Sequence, residues 1–234
     1  MKILKILRLH GQVSMGLILK IFLTLVLFLS IEPAWAHVIV RELSRMSGPG
    51  IAAFYLRAGF RHILPFGFDH ILFVLSLFLL SPKLKSMLWQ STAFTAAHSV
   101  TLGLAIYGVI TPSARMIEPL IALSILYVAL ENIISPRLKA SRIGIVFFFG
   151  LVHGLGFAGS LGQLGLPPDN FALSLFMFNL GVELGQATVI LLAFVCVKKW
   201  MMKNSYRKYF VIPGSLIIAS IALILTIQRL PILN

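Results

Sequence analysis

The sequence beyond residue 63 consists of long apolar stretches separated by short polar segments. Six stretches are each long enough to cross a hydrocarbon layer of about 30 Å as an α-helix. They cover residues 64–81, 87–109, 113–134, 142–162, 171–197 and 208–228. Backbone groups in lipid must be hydrogen-bonded within the protein, and no stretch alternates with the period of a barrel strand. We therefore predict an all-α, polytopic transmembrane helix bundle with about six spans.

The composition favours a membrane protein over a soluble one. Of the 234 residues, 59% are hydrophobic and 12% are charged, whereas soluble domains carry about 25% charged residues. The formal net charge is +13, but the basic residues stand in short segments between apolar runs. We expect contact with acidic lipid headgroups and no binding of nucleic acid. The single cysteine, Cys196, excludes a disulfide framework and a cysteine-based metal site.

The N-terminal region predicts a signal sequence followed by a short polar segment. Residues 1–36 combine a basic start, an apolar core from Ile21 to Ile31 and an A-x-A motif at its end. The basic part is long, which leaves both a cleaved signal sequence and an uncleaved anchor open. Residues 37–61 are polar, basic and too few to bury a core, so we expect them to lie on the outer face. Residues 62–234 would form the six-helix transmembrane domain.

The distribution of basic residues predicts the orientation in the membrane. Basic residues are concentrated in the first, third and fifth loops: Lys83 and Lys85; Arg137, Lys139 and Arg142; and Lys198, Lys199, Lys203, Arg207 and Lys208. The intervening loops contain almost none. Because cytoplasmic loops are enriched in Lys and Arg, we predict a multi-pass protein of the bacterial inner (cytoplasmic) membrane with its mature N-terminus outside.

Five of the predicted spans contain ionisable residues. A charge at the centre of a span costs about 2.5–3.5 kcal/mol on insertion scales, so several such residues at similar depth indicate a shared site. They are Asp69 and His70 in the first span, His98 in the second, Glu118 in the third, His153 in the fourth and Glu183 in the fifth. The sixth span has no charge between Phe210 and Ile227 and is predicted to serve packing. We predict one metal or ion site open to the outer face.

Four further polar residues are predicted to support this site or the path through it. Ser99 follows His98 directly, and Asn179 and Gln186 share a helical face with Glu183. Glu131 lies near the cytoplasmic end of the third span, about 19 Å from Glu118 at standard helical rise. It is therefore expected to be an inner exit or a structural residue.

The position of Pro65 predicts where the helix of the first span begins. Pro65 suits the first position of a helix, where its missing N–H costs nothing. Asp69 would then lie near the positive end of the helix dipole. We accordingly expect this helix to begin at Pro65.

The available ligands suit a divalent transition metal. Imidazole and carboxylate groups without a thiolate suit Ni, Zn, Cu(II), Fe or Mn. The same residue types also serve proton relays and intramembrane metal-dependent hydrolases. Nucleophilic catalysis by Ser99 with His98 is disfavoured, because adjacent residues on a helix point about 100° apart. No catalytic residue is assigned, and a transporter is favoured over an enzyme.

Five motifs within residues 59–195 resemble the HupE/UreJ family of membrane proteins. They are GFDHILFVL from Gly67, FTAAHSVTL from Phe94, EPLIALSI with YVALEN from Glu118, FGLVHGLGFA from Phe149 and FNLGVELGQ from Phe178. The family is known for hydrogenase and urease accessory proteins, with members regarded as nickel permeases. The resemblance implies Asp69, His70, His98, Glu118, His153 and Glu183 as metal-path residues.

The resemblance also leaves alternatives open. Nickel-associated members place a His-Pro pair seven residues before the motif histidine, whereas here His62 stands eight residues before His70 and three before Pro65. We expect a permease for a divalent transition metal such as Ni, Zn or Cu, with nickel suggested by the family. An intramembrane metal-dependent enzyme and a non-transporting accessory protein for hydrogenase or urease maturation are the alternatives. A homo-oligomer and an envelope metalloprotein partner are both compatible with the sequence.

Overall fold

The computed structural model describes residues 46–80, 83–111, 113–135, 138, 141–164, 166–203 and 205–230, with side chains left out at 160 and 162–164. Within these residues the chain forms seven α-helices and no strand. They are α1 (Gly48–Ile63), α2 (Phe68–Leu80), α3 (Leu84–Ile106), α4 (Ala114–Ile134), α5 (Arg142–Leu164), α6 (Phe171–Met201) and α7 (Ile212–Arg229). A 3-10 turn, Pro168–Asn170, precedes α6, and a π-helical turn, Arg207–Val211, leads into α7. The predicted all-α architecture is confirmed, and the predicted signal sequence lies outside the described residues.

Four helical segments of this part of the chain are long and apolar enough to cross a membrane. They are Ala114–Ile134, Arg142–Gly159, Pro168–Met201 and Arg207–Arg229. A fifth is present if α1 and α2, which meet at an angle of 68°, count as one broken span. Helix α3 has 23 residues, but its polar side chains lower its hydropathy. The predicted number of six spans is therefore not confirmed.

The junction between α1 and α2 differs from the prediction for Pro65. Helix α1 ends at Ile63, and Leu64 is extended with φ −122° and ψ 119°, because the proline ring disfavours the helical conformation at the preceding residue. The next helix begins at Phe68, so the prediction of a helix start at Pro65 is wrong. Asp69 does lie in the first turn of α2. The helices meet at an angle of 68° across this turn, which brings the last residues of α1 close to the first turn of α2.

Helix α1 packs along α6. Its buried face consists of Ile51, Tyr55, Gly59 and Ile63. A Cβ atom at Gly59 would lie 1.8 Å from the carbonyl oxygen of Phe178, so only glycine permits this approach. The described part of the predicted outer-face segment 37–61 is thus mostly a helix with one face in the core. Its position relative to the membrane stays a prediction.

Helices α3 and α5 pack through two glycines of α5. A Cβ atom at Gly150 would lie 2.5 Å from the carbonyl oxygen of Phe94, and one at Gly154 would lie 2.3 Å from that of His98. Small residues of this kind let membrane helices approach at backbone distance. The contact brings the middle of α3, with His98, against the part of α5 that carries His153. Helices α4 and α7 form the other large contact and enclose α2 with the rest of the bundle.

Candidate metal centre

Three histidines from three helices converge inside the bundle. His62 lies at the end of α1, His70 in the first turns of α2 and His98 in the middle of α3, and one ligand nitrogen of each lies within 4.8 Å of the other two. The His62 and His70 rings are 4.6 Å apart, and the His98 ring lies 5.8 Å from that of His70. The turn at Pro65 brings His62 close to His70, and the middle of α3 adds His98 beside both rings. Three imidazoles at this spacing form a candidate site for a transition metal.

The His98 imidazole is oriented so that one nitrogen is free to bind. Its Nδ1 lies 3.3 Å from Oδ1 of Asn179. The amide of Asn179 donates through Nδ2 to the carbonyl oxygen of Leu175 at 2.8 Å, which directs its oxygen at the histidine. His98 Nδ1 must therefore carry the proton and donate, and Nε2 keeps its lone pair. Such a partner behind the ring is typical of metal-binding histidines.

A fourth histidine, His153, is oriented in a similar way from α5. Its Nε2 lies 2.9 Å from Oγ of Ser124, and that hydroxyl donates its hydrogen to the carbonyl oxygen of Ile121 at 2.7 Å. Ser124 can consequently only accept from His153, so the proton is on Nε2 and the lone pair is on Nδ1. The His153 ring lies 5.1 Å from that of His70. His153 therefore lies directly beside the three-histidine cluster.

All four histidines carry a buried ring nitrogen without a hydrogen-bond partner within the described part of the chain. These atoms are Nε2 of His62, His70 and His98 and Nδ1 of His153. Buried polar groups normally have a partner, because burial without one costs free energy. For His98 and His153 the unpartnered nitrogen is the one with the lone pair, because the other ring nitrogen donates to Asn179 or to Ser124. A bound metal ion would satisfy both the lone pairs and the burial.

A cavity of about 470 Å³ leads from the surface to three of these histidines. It is lined by His62, Phe66, Gly67, Phe68, Asp69, His70, Glu118, Ile121, His153, Gly156, Phe157 and Arg229. Phe66 and Phe68 are more than half exposed, whereas His70 and His153 are buried. The cavity therefore connects an exposed aromatic rim with the imidazoles of His62, His70 and His153. The His98 ring is not part of the lining and lies 5.8 Å from that of His70.

Two of the predicted carboxylates, Asp69 and Glu118, line this cavity. Asp69 is held by Arg229 of α7, whose Nη2 donates to both carboxylate oxygens at 3.1 and 3.2 Å. The predicted site residues Asp69, His70, His98, Glu118 and His153 thus lie in or against one space. The ion pair with Arg229 was not predicted, because the two residues are 160 positions apart.

Glu183 lies outside the lining of this cavity, in a polar seam between α3 and α6. It accepts a hydrogen bond from the hydroxyl of Thr92 at 2.7 Å, one helical turn beyond Asn179. One turn further, Ser91 donates to Gln186 at 2.5 Å. The Ser99 hydroxyl bonds within its own helix, to the carbonyl oxygen of Thr95 at 2.6 Å. The structure therefore brings Asn179 to the histidines and places Glu183 and Gln186 progressively farther along the seam.

Glu131 belongs to a separate polar network. It forms an ion pair with Arg142 at 2.9 Å, and the arginine is 1% exposed. The Arg142 guanidinium also donates to Gln90 and Asn132, so this network joins α3, α4 and α5. Arg142 was expected in a cytoplasmic loop, but it is the buried first residue of α5. Glu131 thus has the contacts of a structural residue.

This arrangement predicts separate consequences for Glu131 and for the histidines. Glu131→Gln leaves the buried Arg142 without its counter-charge, and removing one partner of a buried pair is strongly destabilising. We expect a lower melting temperature with metal affinity close to that of the wild type, checked by thermal unfolding and metal titration of the purified protein. A loss of metal binding as large as that of His98→Ala would contradict the separation of the two sites.

Sequence reasoning missed two ionisable residues of the cavity lining, His62 and Arg229. His62 stood just before the first predicted span and was noted only for its spacing to His70. That spacing was the available signal, since a histidine three residues before a proline turn can fold back onto the following helix. Arg229 lies just past the uncharged part of the last span, and no local pattern relates it to Asp69.

Comparison with known families assigns the chain to a family. Residues 38–229 match the family model described as HupE / UreJ protein. The chain belongs to the HupE/UreJ family. This family is associated with nickel or cobalt transport or with accessory roles, and hence with metal handling. The match covers the three clustered histidines, His153 and Arg229. Comparisons with curated proteins and with solved structures gave no match.

Proposed function

We propose that this HupE/UreJ protein is a permease of the bacterial inner membrane for a divalent transition metal, with nickel as the first candidate. The observation that carries the proposal is the cluster of His62, His70 and His98, with unpartnered ligand nitrogens behind a cavity that reaches the surface. Neutral imidazole suits Ni, Zn and Cu, whereas Ca and Mg prefer oxygen ligands. The metal is the cargo in this proposal.

The three histidines come from three different helices, which favours transport over storage. His62, His70 and His98 lie on three different helices, and α1 and α2 meet at a sharp turn. A small displacement of one helix would therefore break the ligand set. A permease needs a site that can be made and broken, because a transported ion must bind and also leave. The seam of Asn179, Glu183 and Gln186 offers oxygen ligands along a route away from the histidines.

An intramembrane metalloenzyme is the second candidate. Three histidines with an open position are also the ligand set of catalytic zinc, and Glu118 lies in the same cavity, where it could act as a base. An accessory protein that only holds metal would need the same ligands. Both alternatives predict metal binding without net movement of metal across the membrane.

Uptake into proteoliposomes separates these functions. We expect wild-type protein to move Ni²⁺, Zn²⁺ or Co²⁺ to a metal-sensitive dye trapped inside, and His98→Ala to reduce the rate to that of protein-free vesicles. Ser99→Ala is the matched control, because the Ser99 hydroxyl donates to the carbonyl oxygen of Thr95 within α3. Metal binding by wild-type protein without any uptake would overturn the permease proposal.

The orientation proposed from the loop charges can be tested independently. Reporter fusions at Lys83, Lys139 and Lys203 should report the cytoplasm, and a fusion at Gly165 should report the outside, because basic loops are retained inside. Periplasmic alkaline phosphatase activity and cytoplasmic fluorescence provide the two readouts. A fusion at Lys203 that reports the outside would contradict the orientation.

A further inference from the structure

The contact between Asp69 and Arg229 gives the cavity an internal cation next to the metal ligands. Asp69 lies in the first turn of α2 and Arg229 in the last turn of α7. The guanidinium binds both carboxylate oxygens through one nitrogen, and the two side chains are 24% and 23% exposed. Both residues line the cavity that contains His70, the chain neighbour of Asp69.

The position of this pair has an electrostatic consequence for a cation in the cavity. The charged residues of the lining are two carboxylates, Asp69 and Glu118, and one guanidinium, Arg229. A divalent metal at the histidines is attracted by both acids, but the guanidinium neutralises Asp69 and repels the metal. Arg229 and the metal therefore compete for the same carboxylate.

We infer that Arg229 is an affinity-limiting residue, which occupies Asp69 so that a divalent metal binds the histidine site weakly enough to be released. This inference deepens the proposed permease function and rests on it for its purpose, although its electrostatic part requires only metal binding. Conduction demands a site that is favourable to enter and also easy to leave. Without the guanidinium, three buried histidines and two free acids would hold a divalent metal more tightly.

Removal of the Arg229 charge is expected to tighten the binding of a divalent metal. Arg229→Gln should lower the dissociation constant for Ni²⁺ by at least about tenfold, as expected for one unit charge within several ångströms of a divalent ion in a partly buried site. Arg229→Lys keeps the charge and should stay close to the wild type. Arg207→Gln is the matched control, because it removes the same charge about 33 Å away along the same helical segment. It should leave the affinity unchanged.

A second pair of variants keeps the inference testable if Arg229→Gln does not fold. Asp69→Asn leaves the guanidinium without its partner and should weaken Ni²⁺ binding by at least about tenfold. Combining it with Arg229→Gln removes both charges and should restore much of the lost affinity. A purely structural role of the pair predicts no such restoration, since the double variant also lacks the contact.

The experiment is calorimetric titration of the full-length purified variants with Ni²⁺, accompanied by uptake into proteoliposomes. Tighter binding and slower uptake for Arg229→Gln, with restoration in the double variant, are the expected results. Unchanged or weaker binding for Arg229→Gln, or no restoration, would overturn the role of Arg229. Absence of Ni²⁺ binding by the wild type would overturn both proposals. Binding with these affinity changes but without uptake would overturn only the permease.

Discussion

His98→Ala is expected to abolish the thermal stabilisation that a divalent metal gives to the wild-type protein. A ligand at one hundred times its dissociation constant stabilises the folded state by about 2.7 kcal/mol. Loss of one of three imidazoles removes most of that affinity. The apo protein should melt at a somewhat lower temperature, because His98 is fully buried against His62 and His70, but it should stay folded. Melting curves with and without Ni²⁺ measure the effect.

The control for this prediction is Ser99→Ala on the same helix, which should keep the full metal-dependent shift. The shift of the wild type should also shrink in acid, because ligation requires neutral imidazole and protons compete for the ligand nitrogens. A metal-dependent shift that survives His98→Ala unchanged would show that the three histidines do not form the site.

Gly154→Ala is expected to impair metal binding without removing a ligand. The added Cβ atom would lie 2.3 Å from the carbonyl oxygen of His98 and from Oγ1 of Thr101, so α5 must move away from α3. Overpacking of this kind costs about 1–3 kcal/mol, and here it also displaces His98 relative to His153. We expect a lower melting temperature together with weaker Ni²⁺ binding.

Gly159→Ala is the matched control on the same helix, because nothing lies within 4 Å of its added Cβ atom. It should leave Ni²⁺ binding intact and keep or slightly raise stability, since alanine is the better helix former. Equal effects of the two substitutions would mean that the contact between α3 and α5 does not position the histidines.

Local pattern was sufficient to predict most helices of the bundle. The third predicted span, 113–134, agrees closely with α4, Ala114–Ile134. An uninterrupted apolar stretch between polar boundaries can be satisfied in lipid only as a helix. The number of spans did not follow from local pattern, because α3 carries many polar residues and because α1, which the composition marks as a polar segment, meets α2 at an angle of 68°.

The site was predictable in part, for a different reason. Counting residues along each span predicts that His98 and His153 lie at similar depth, because the rise per residue of an α-helix is constant. The structure brings both residues next to His70. The burial of Arg142 and the pairing of Asp69 with Arg229 depend on which helices pack side by side. That information lies in long-range contacts between helices, such as the approach at Gly154, and no local period encodes it.

The most direct test of the proposed centre is X-ray absorption spectroscopy of the full-length protein with one equivalent of Ni²⁺ or Zn²⁺. We predict three nitrogen scatterers at about 2.0–2.1 Å for zinc, with the outer-shell scattering of imidazole rings, and a loss of about one ring in His62→Ala. His62→Ala is informative because this histidine completes the cluster with His70 and His98. A spectrum with oxygen scatterers alone, or one that His62→Ala leaves unchanged, would contradict the three-histidine site.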